Sequence, residues 1–480
     1  MPHFTCNLDS TGAPLRPVWN HTVGSGHAAL AMRADWREQM VRTRRDLGVR
    51  HVRFHGILCD EMATFLIEQD KEVHSFSNAD QIFDFLIGIG MHPFVELSFM
   101  PTALSSGSTT VFRYQANVTP PKDFRKWSAL IKKIVQHWVD RYGLAEVRQW
   151  YFEVWNEPNL SAFWTGSKAD YFKLYQYTAG AIKGVDEQLR VGGPATAEDA
   201  WIGDFLKFCE NTKAPVDFVS THHYPTDALG KPGDDTEQQL SLATRGVLRE
   251  STKKSCRAAA GKPVYYTEWS SSSNPFFYRH DQPYAAAFLL KNMLDVADLV
   301  EAYSWWTFSD IFEENYFSSV PFHGGFGLQT IHGTPKPTYR AMQLLNEVGE
   351  ELLQISGRHS TVDAWVTRKL DGTVTALLDN HAFPKHDIRT EAITLTLNGS
   401  RRPVKATIER IDEDHCNARH QWKEMGSPEF PDQSQLALLE KASRLISEPI
   451  QGQSHEHGID YTFNLMPHAI AAVHLEYSRT

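Results

Sequence analysis

From about residue 18 to residue 345, short apolar runs of strand character alternate with longer stretches whose apolar residues recur at steps of three and four. The runs lie at Thr22–Gly26, His51–His55, His92–Ser98, Gln149–Asn156, Arg190–Ala195, Asp217–His222, Pro263–Glu268 and Ala302–Phe308. Each is followed by a helical period or a long loop, and that repeat predicts an α/β fold, a (β/α)8 barrel over residues 16–345. The clearest helical period spans Asp123 to Tyr142, where Phe124, Trp127, Leu130, Ile131, Ile134, Val135, Trp138 and Val139 share one face. Pro120-Pro121 before it and Gly143 after it are boundary signals. Ala169–Val185 and Ala79–Gly88 repeat the pattern.

After about Gly349 the period changes. Val362–Val366, Thr373–Leu378, Ile393–Leu397, Val404–Ile411 and Ala469–Leu475 are rich in β-branched residues, with Asp371-Gly372 and Asn398-Gly399 turns between them. This predicts an all-β accessory domain over residues 346–480, a β-sandwich. Residues 1–15 are too polar for a barrel strand and are expected to join that domain, as an edge strand. Its role is expected to be subunit contact or buttressing of the barrel, and a homo-oligomer is compatible with either.

Composition narrows the partners. At 480 residues with 41% apolar content the chain has material for a large core, and its 12% aromatic content is concentrated near strand ends. The net charge of −10 argues against nucleic acid or an anionic membrane as partner, because each selects a basic surface. The five cysteines are scattered, odd in number and without CxxC spacing, which fits free thiols in a reducing compartment. No apolar stretch approaches the length of a membrane span, and the amino terminus lacks the pattern of a secretory signal. A cytoplasmic location is the expectation.

The chemistry is concentrated at strand ends. In QWYFEVWNEPN, residues 149–159, a run of large apolar residues ends in Asn156-Glu157-Pro158. Asn-Glu-Pro alone is a common turn; after a buried strand it delivers a carboxylic acid to the barrel face where active sites sit. The run PVYYTE does the same for Glu268. Two carboxyls on two strand ends suit glycosidic bond cleavage: one protonates the departing oxygen and the other attacks or stabilises the sugar carbon. Glu157 is read as proton donor and later base, Glu268 as nucleophile, and Asn156 as partner of the sugar 2-OH. Arg53, His55, His222 and Tyr224 are placed to hold Glu268 ionised. Trp306 offers a stacking floor, Glu313 or Glu314 acceptors for sugar hydroxyls, and Phe112 and Phe163 walls. Neither His222-His223 nor Ser454–Gly458 completes a metal ligand set. Gly24-Ser25-Gly26 lacks the companions of a phosphate loop, and no GxSxG elbow is present. No metal and no cofactor are expected.

With these residues in view the chain resembles bacterial β-xylosidases of glycoside hydrolase family 39. The resemblance rests on VRFHGILCDEM, HPFVELSFMP, TVFRYQANVTPPKD, FEVWNEPNL, FWTGS, YFKLY, VGGPAT, VDFVSTHHY, YYTEW, WWTFSDIFEE and FHGGFGLQT, spread from about residue 20 to 345. It implies Glu157 as acid/base and Glu268 as nucleophile of a retaining double displacement. It also implicates His55, Asn156, His222, Tyr224, Trp306 and the Glu313-Glu314 pair in the sugar pocket. The implied substrates are small carbohydrates, xylobiose and short xylo-oligosaccharides, cut from the non-reducing end. Phe54, His223 and Trp269 depart from the family pattern. The alternatives are an α-L-iduronidase or α-L-arabinosidase on the same barrel, an inverting hydrolase, and a non-catalytic carbohydrate-binding barrel. An acidic pair and bulky Phe would repel the iduronate carboxylate, and a non-catalytic barrel would be expected to lack one of the two carboxyls.

Overall fold

The computed structural model describes residues 2–226, 235–314 and 317–478. Eight strands close into a barrel: β1 (Thr22–His27), β2 (His51–His55), β3 (His92–Leu97), β4 (Tyr151–Val154), β5 (Arg190–Thr196), β6 (Phe218–His223), β7 (Val264–Trp269) and β8 (Ala302–Trp305). Each is parallel to the next, and β8 returns to β1 by pairing Trp305 with Val23. They coincide with the predicted runs, the largest shift being at the end of β8, where the chain leaves the sheet at Trp305 rather than Phe308.

Around the barrel lie α1 (Ala34–Leu47), α2 (Ser77–Gly88), α3 (Phe124–Tyr142), α4 (Lys168–Lys183), α5 (Pro283–Val296) and α6 (Pro337–Asn346), among other helices. α3 begins where Asp123 accepts a hydrogen bond from the Arg125 amide and ends at Gly143, whose φ of 84° suits glycine. Its buried stripe is Trp127, Leu130, Ile131, Ile134, Val135 and Trp138, as the period required. α4 opens with a capping box made by Ser167 and Asp170.

Strand alternation sorts the barrel interior into layers. Phe94, Tyr151, Phe218 and Tyr265 fill the amino-terminal end as an aromatic plug. Two residues further along the same strands stand Glu96, Glu153, Ser220 and Thr267, and Arg53 of β2 joins them, all buried. The next step reaches the carboxyl-terminal mouth. Alternation fails usefully at β7. The register against β6 shifts between Thr221 and His222, so that Thr221 pairs with Tyr266 but His222 pairs with Glu268. This bulge lets consecutive residues Thr267 and Glu268 both face the interior.

The carboxyl-terminal region is a β-sandwich with a helical insertion. A seven-stranded sheet includes Val362–Arg368, Val374–Asn380, Ile470–Glu476 and Lys405–Ile411, and a five-stranded sheet includes Glu391–Asn398 and Gly458–Leu465. Phe4, Ile393, Leu395 and Tyr461 from one sheet meet Val366, Ala376, Leu378 and Val473 from the other in one apolar core. The amino-terminal strand His3–Asn7 is not at an edge. It lies between Ile355–Ser356 and Glu391–Asn398, parallel to the latter, because Phe4 and Cys6 alternate into that core.

The insertion departs from the all-β expectation: α7 (Ala418–Glu424) and α8 (Gln433–Ala442) follow Lys405–Ile411 and dock on the barrel. Arg42 of α1 makes two hydrogen bonds to Glu440 at 2.7 and 2.9 Å, and Trp422 packs on Phe322 with ring centroids 5.5 Å apart. α8 buries Leu439 alone, so it carries almost no apolar period to betray it.

Candidate active site

At the carboxyl-terminal mouth of the barrel a narrow cavity of about 90 Å³ is lined by Glu157 and Glu268, with Asn156, His55, Tyr224, Glu314, Trp306, Phe112 and Phe163 around them. Ser273, Pro275, Phe312 and Phe326 complete the lining. A larger depression of about 690 Å³ opens between α1 and α8, but its lining holds no facing pair of buried acids. Arg53 and His222 sit one layer beneath the cavity, fully buried.

Arg53 anchors the site. Its Nε donates to Glu153 at 2.6 Å, Nη2 to Asn156 Oδ1 at 2.9 Å, and Nη1 to Glu268 Oε2 at 3.4 Å. Nη2 also lies 2.8 Å from Glu96. Burial works against the charge of Arg53, but Glu153, Glu96 and Glu268 outweigh it and hold the guanidinium protonated. Glu96 and Glu153 are direct partners across β3 and β4. Two buried like charges so placed would repel; the guanidinium between them compensates. Burial would raise the Glu96 pKa, yet Arg53, His55 and the Ser98 hydroxyl leave it below the ordinary range. His55 is aligned by Glu96 at 2.7 Å, and its other ring nitrogen stands 3.5 Å from Glu314.

The two glutamates differ in their partners. Glu268 has Arg53 on one oxygen and the Tyr224 hydroxyl donating to the other. Burial raises its pKa while Arg53, His55 and Tyr224 pull it down, and the net direction is upward. Glu157 is bonded by His222 Nδ1 at 3.0 Å. Burial first and the Glu268 carboxylate second push its pKa well above the usual range. His222 is held well below its usual pKa, by burial first and then by Arg53, His55 and His223. One oxygen of each carboxyl and the His222 ring lie within 4.8 Å of one another. Three such ligating groups can also grip a cation, but Arg53 already supplies positive charge at Glu268. The arrangement is a pair of facing carboxyls, of which Glu157 is the one pushed toward its protonated form by burial and by the other's charge. Glu157 has φ 43° and Trp155 before it φ 70°, left-handed conformations that cost about 1–3 kcal/mol each and belong to sites the surrounding fold over-determines.

Of the residues singled out in the sequence, Glu313 is not brought to the cavity. Its carboxylate pairs with Arg33 in a neighbouring surface pocket. The left-handed turn at Glu313, φ 53°, sends the adjacent side chains opposite ways and leaves Glu314 buried in the wall. Among the described residues Glu314 Oε1 has no hydrogen-bond donor, and its pKa is raised well above normal by burial and by Glu268, Glu96 and Glu157. A sugar hydroxyl donor suits that oxygen. Phe112 stacks on His55 at 6.1 Å and meets Phe163 at 5.5 Å. Trp306 lies beneath, 4.9 Å from His55. Phe54, His223 and Trp269 lie outside the cavity lining: Phe54 meets Phe83 of α2, His223 bonds Asp199 and Tyr303, and Trp269 packs on Tyr303 and Trp305.

Sequence reading missed Glu96, Glu153 and Thr267, although a lone acid inside an apolar strand such as HPFVEL or YFEV signals a buried counter-ion. It also missed what holds Phe326. Buried Lys336 contacts Asp281 and Asp310, each at 2.6 Å, and these acids accept the amides of Gly324 and Gly327 at 2.7 Å, fixing the loop that carries Phe326. Lys336→Met leaves two buried carboxylates without a cation. It is expected to lower stability by about 3–5 kcal/mol, read as a lower urea midpoint at pH 7; an unchanged midpoint would remove this clamp from the stability of the barrel.

The sequence model of "Glycosyl hydrolases family 39" matches residues 4–455. The chain is 45% identical over 476 residues to a β-xylosidase of Caldicellulosiruptor saccharolyticus, covering 98% of this chain and 97% of the relative. It is 38% identical over 457 residues to a β-xylosidase of Geobacillus stearothermophilus, covering 91% and 88%. The solved structure of a GH39 β-xylosidase from Caulobacter crescentus superposes with a TM-score of 0.83 at 32% identity, covering 99% of this chain and all of that one. Among the described residues no helix is long and apolar enough to cross a membrane.

Proposed function

The chain belongs to the glycosyl hydrolases of family 39, and we propose that it is a retaining β-D-xylosidase releasing xylose from the non-reducing ends of short xylo-oligosaccharides, with Glu268 as nucleophile and Glu157 as acid/base. The observation that carries this reading is the separation of the two carboxyls, within 4.8 Å oxygen to oxygen. Retaining enzymes hold the pair about 5–5.5 Å apart, whereas inverting ones need about 6.5–9.5 Å to admit a water. Glu268 attacks the anomeric carbon while Glu157 gives its proton to the glycosidic oxygen. Glu157, now ionised, then takes a proton from the water that releases the glycosyl-enzyme. Asn156 keeps its amide group for the 2-OH because Arg53 occupies its carbonyl oxygen. Burial suits the transition state, since charge develops where water is excluded.

The lining supports a pentose. Phe112, Phe163, Phe312 and Phe326 close the walls, and among the described lining residues there is no Lys or Arg to receive a uronate carboxylate. Arg53, the nearest guanidinium, is already engaged by Glu96, Glu153, Asn156 and Glu268. The five cysteines are unpaired, which supports a reducing, cytoplasmic setting.

Product stereochemistry tests the reading. NMR during hydrolysis should show β-xylose first, with the α anomer growing in by mutarotation; α-xylose as first product would overturn double displacement. Aryl β-xyloside should be cleaved in preference to aryl α-L-arabinopyranoside and aryl α-iduronide.

A further inference from the structure

We propose that Thr267 is a positioning residue: it fixes His222 as the tautomer protonated on Nε2, so that Nδ1 accepts the proton of Glu157. This rests on the reading of Glu157 as acid/base.

The argument follows hydrogen-bond polarity from one fixed charge. Arg53 Nε donates to Glu153 Oε2 at 2.6 Å in a fully buried guanidinium–carboxylate pair, and a carboxylate so paired only accepts. Glu153 Oε1, 2.7 Å from Thr267 Oγ1, therefore takes the one hydroxyl proton of Thr267. Thr267 Oγ1 has only lone pairs left for His222 Nε2, 3.0 Å away, so Nε2 must be the donor. Burial inside the barrel, and then Arg53, His55 and His223, disfavour a second proton on the ring. Nδ1 then offers a lone pair to Glu157 Oε1 at 3.0 Å, and a hydrogen bond there needs a proton on Glu157. The β7 bulge makes the relay geometrically available, because it turns Thr267 inward beside Glu268.

The consequence is that the relay assigns the acid's proton to Glu157 and not to Glu268. Nδ1 lies 3.0 Å from Glu157 but 3.6 Å from Glu268. An acceptor there favours the neutral form of Glu157 and leaves Glu268 to Arg53 and Tyr224, ready to attack. After Glu157 has protonated the glycosidic oxygen, its carboxylate faces the Nδ1 lone pair, and that repulsion drives recovery of a proton from water. The groups facing Glu157 and His222 are Arg53 and His55 from β2, Glu96 from β3, Glu153 from β4, His223 and Tyr224 from β6 and its end, Glu268 from β7, and Glu198 and Glu314 from the loops after β5 and β8. Thr267→Val removes none of these charges.

The test uses full-length enzyme, with Thr267→Val as the isosteric loss of the hydroxyl and Thr267→Ser as its restoration. The first readout is the ¹⁵N shifts of the His222 ring, assigned with His222→Gln. The second is the basic limb of kcat/KM for a xyloside with a poor leaving group. Wild type should show Nε2–H, and T267V a mixture of tautomers with the basic limb lowered by about half a pH unit or more. T267S should resemble wild type. Nδ1–H or imidazolium in the wild type overturns the relay while leaving the role of Glu157 intact. So does a T267V enzyme that merely loses kcat equally at every pH. Persistence of the basic limb in Glu157→Gln would instead overturn the assignment of Glu157 as the acid.

Discussion

Glu268→Ala is expected to lower kcat on an aryl β-xyloside by roughly 10⁴-fold or more, because no covalent intermediate can then form. The size follows from position. Glu268 lies in the cavity, with Arg53 and Tyr224 on its two oxygens, and among the described residues no other carboxyl of the lining is held by a guanidinium in this way. Glu314 also lines the cavity, but one of its oxygens has no donor among the described residues, and burial and the neighbouring carboxylates push its pKa well up, which disfavours the ionised form a nucleophile needs. A loss smaller than about tenfold would exclude Glu268 as nucleophile. A small anion provides a second readout. Azide can enter the space left by the missing carboxylate and attack the anomeric carbon from that side. The adduct should be the α-xylosyl azide, a single inversion, and a β-azide from this variant would contradict the assignment.

The barrel and both catalytic candidates were legible because they are one-dimensional signals. A buried strand is an apolar run, and a functional strand end is the polar residue at which that run stops, as at Glu157 and Glu268. The ion cluster beneath them was less legible. Arg53, Glu96 and Glu153 come from three strands, and only the register that sets Glu96 opposite Glu153 reveals why an arginine must stand between them. Thr267 was hidden for a different reason: strict alternation would turn it away from the face that Glu268 occupies, and the bulge that brings both inward is a tertiary event. Glu313 and Glu314 could not be separated because their divergence depends on one left-handed residue. In the sandwich, the alternating strands announced themselves. The amino-terminal strand reads as an edge strand because its few apolar residues, Phe4 and Cys6 above all, give no hint that both its sides are paired.

Glu157→Ala should divide substrates by leaving group. For xylobiose, whose departing sugar hydroxyl is a poor leaving group, loss of proton donation should cost between roughly 10² and 10⁴-fold in kcat/KM. For an activated aryl xyloside the phenolate departs almost unaided. The first step should survive, and the slow step becomes hydrolysis of the glycosyl-enzyme, which has lost its base. That variant should show a burst of phenol followed by slow turnover, with KM falling along with kcat. Azide should restore turnover by replacing the activated water and give β-xylosyl azide, the opposite anomer to that from Glu268→Ala, because the covalent step has already inverted the carbon once. Equal losses on both substrates would argue against an acid role. The pH dependence carries the same logic. The Glu157 pKa is raised by burial and by the Glu268 charge, and the acid works only while protonated, so activity falls as pH rises through that value. Glu157→Gln should abolish this basic limb while the acidic limb, set by the need for ionised Glu268, remains. The two variants thus separate two carboxyls that stand within 4.8 Å of each other and differ chiefly in which neighbours hold them.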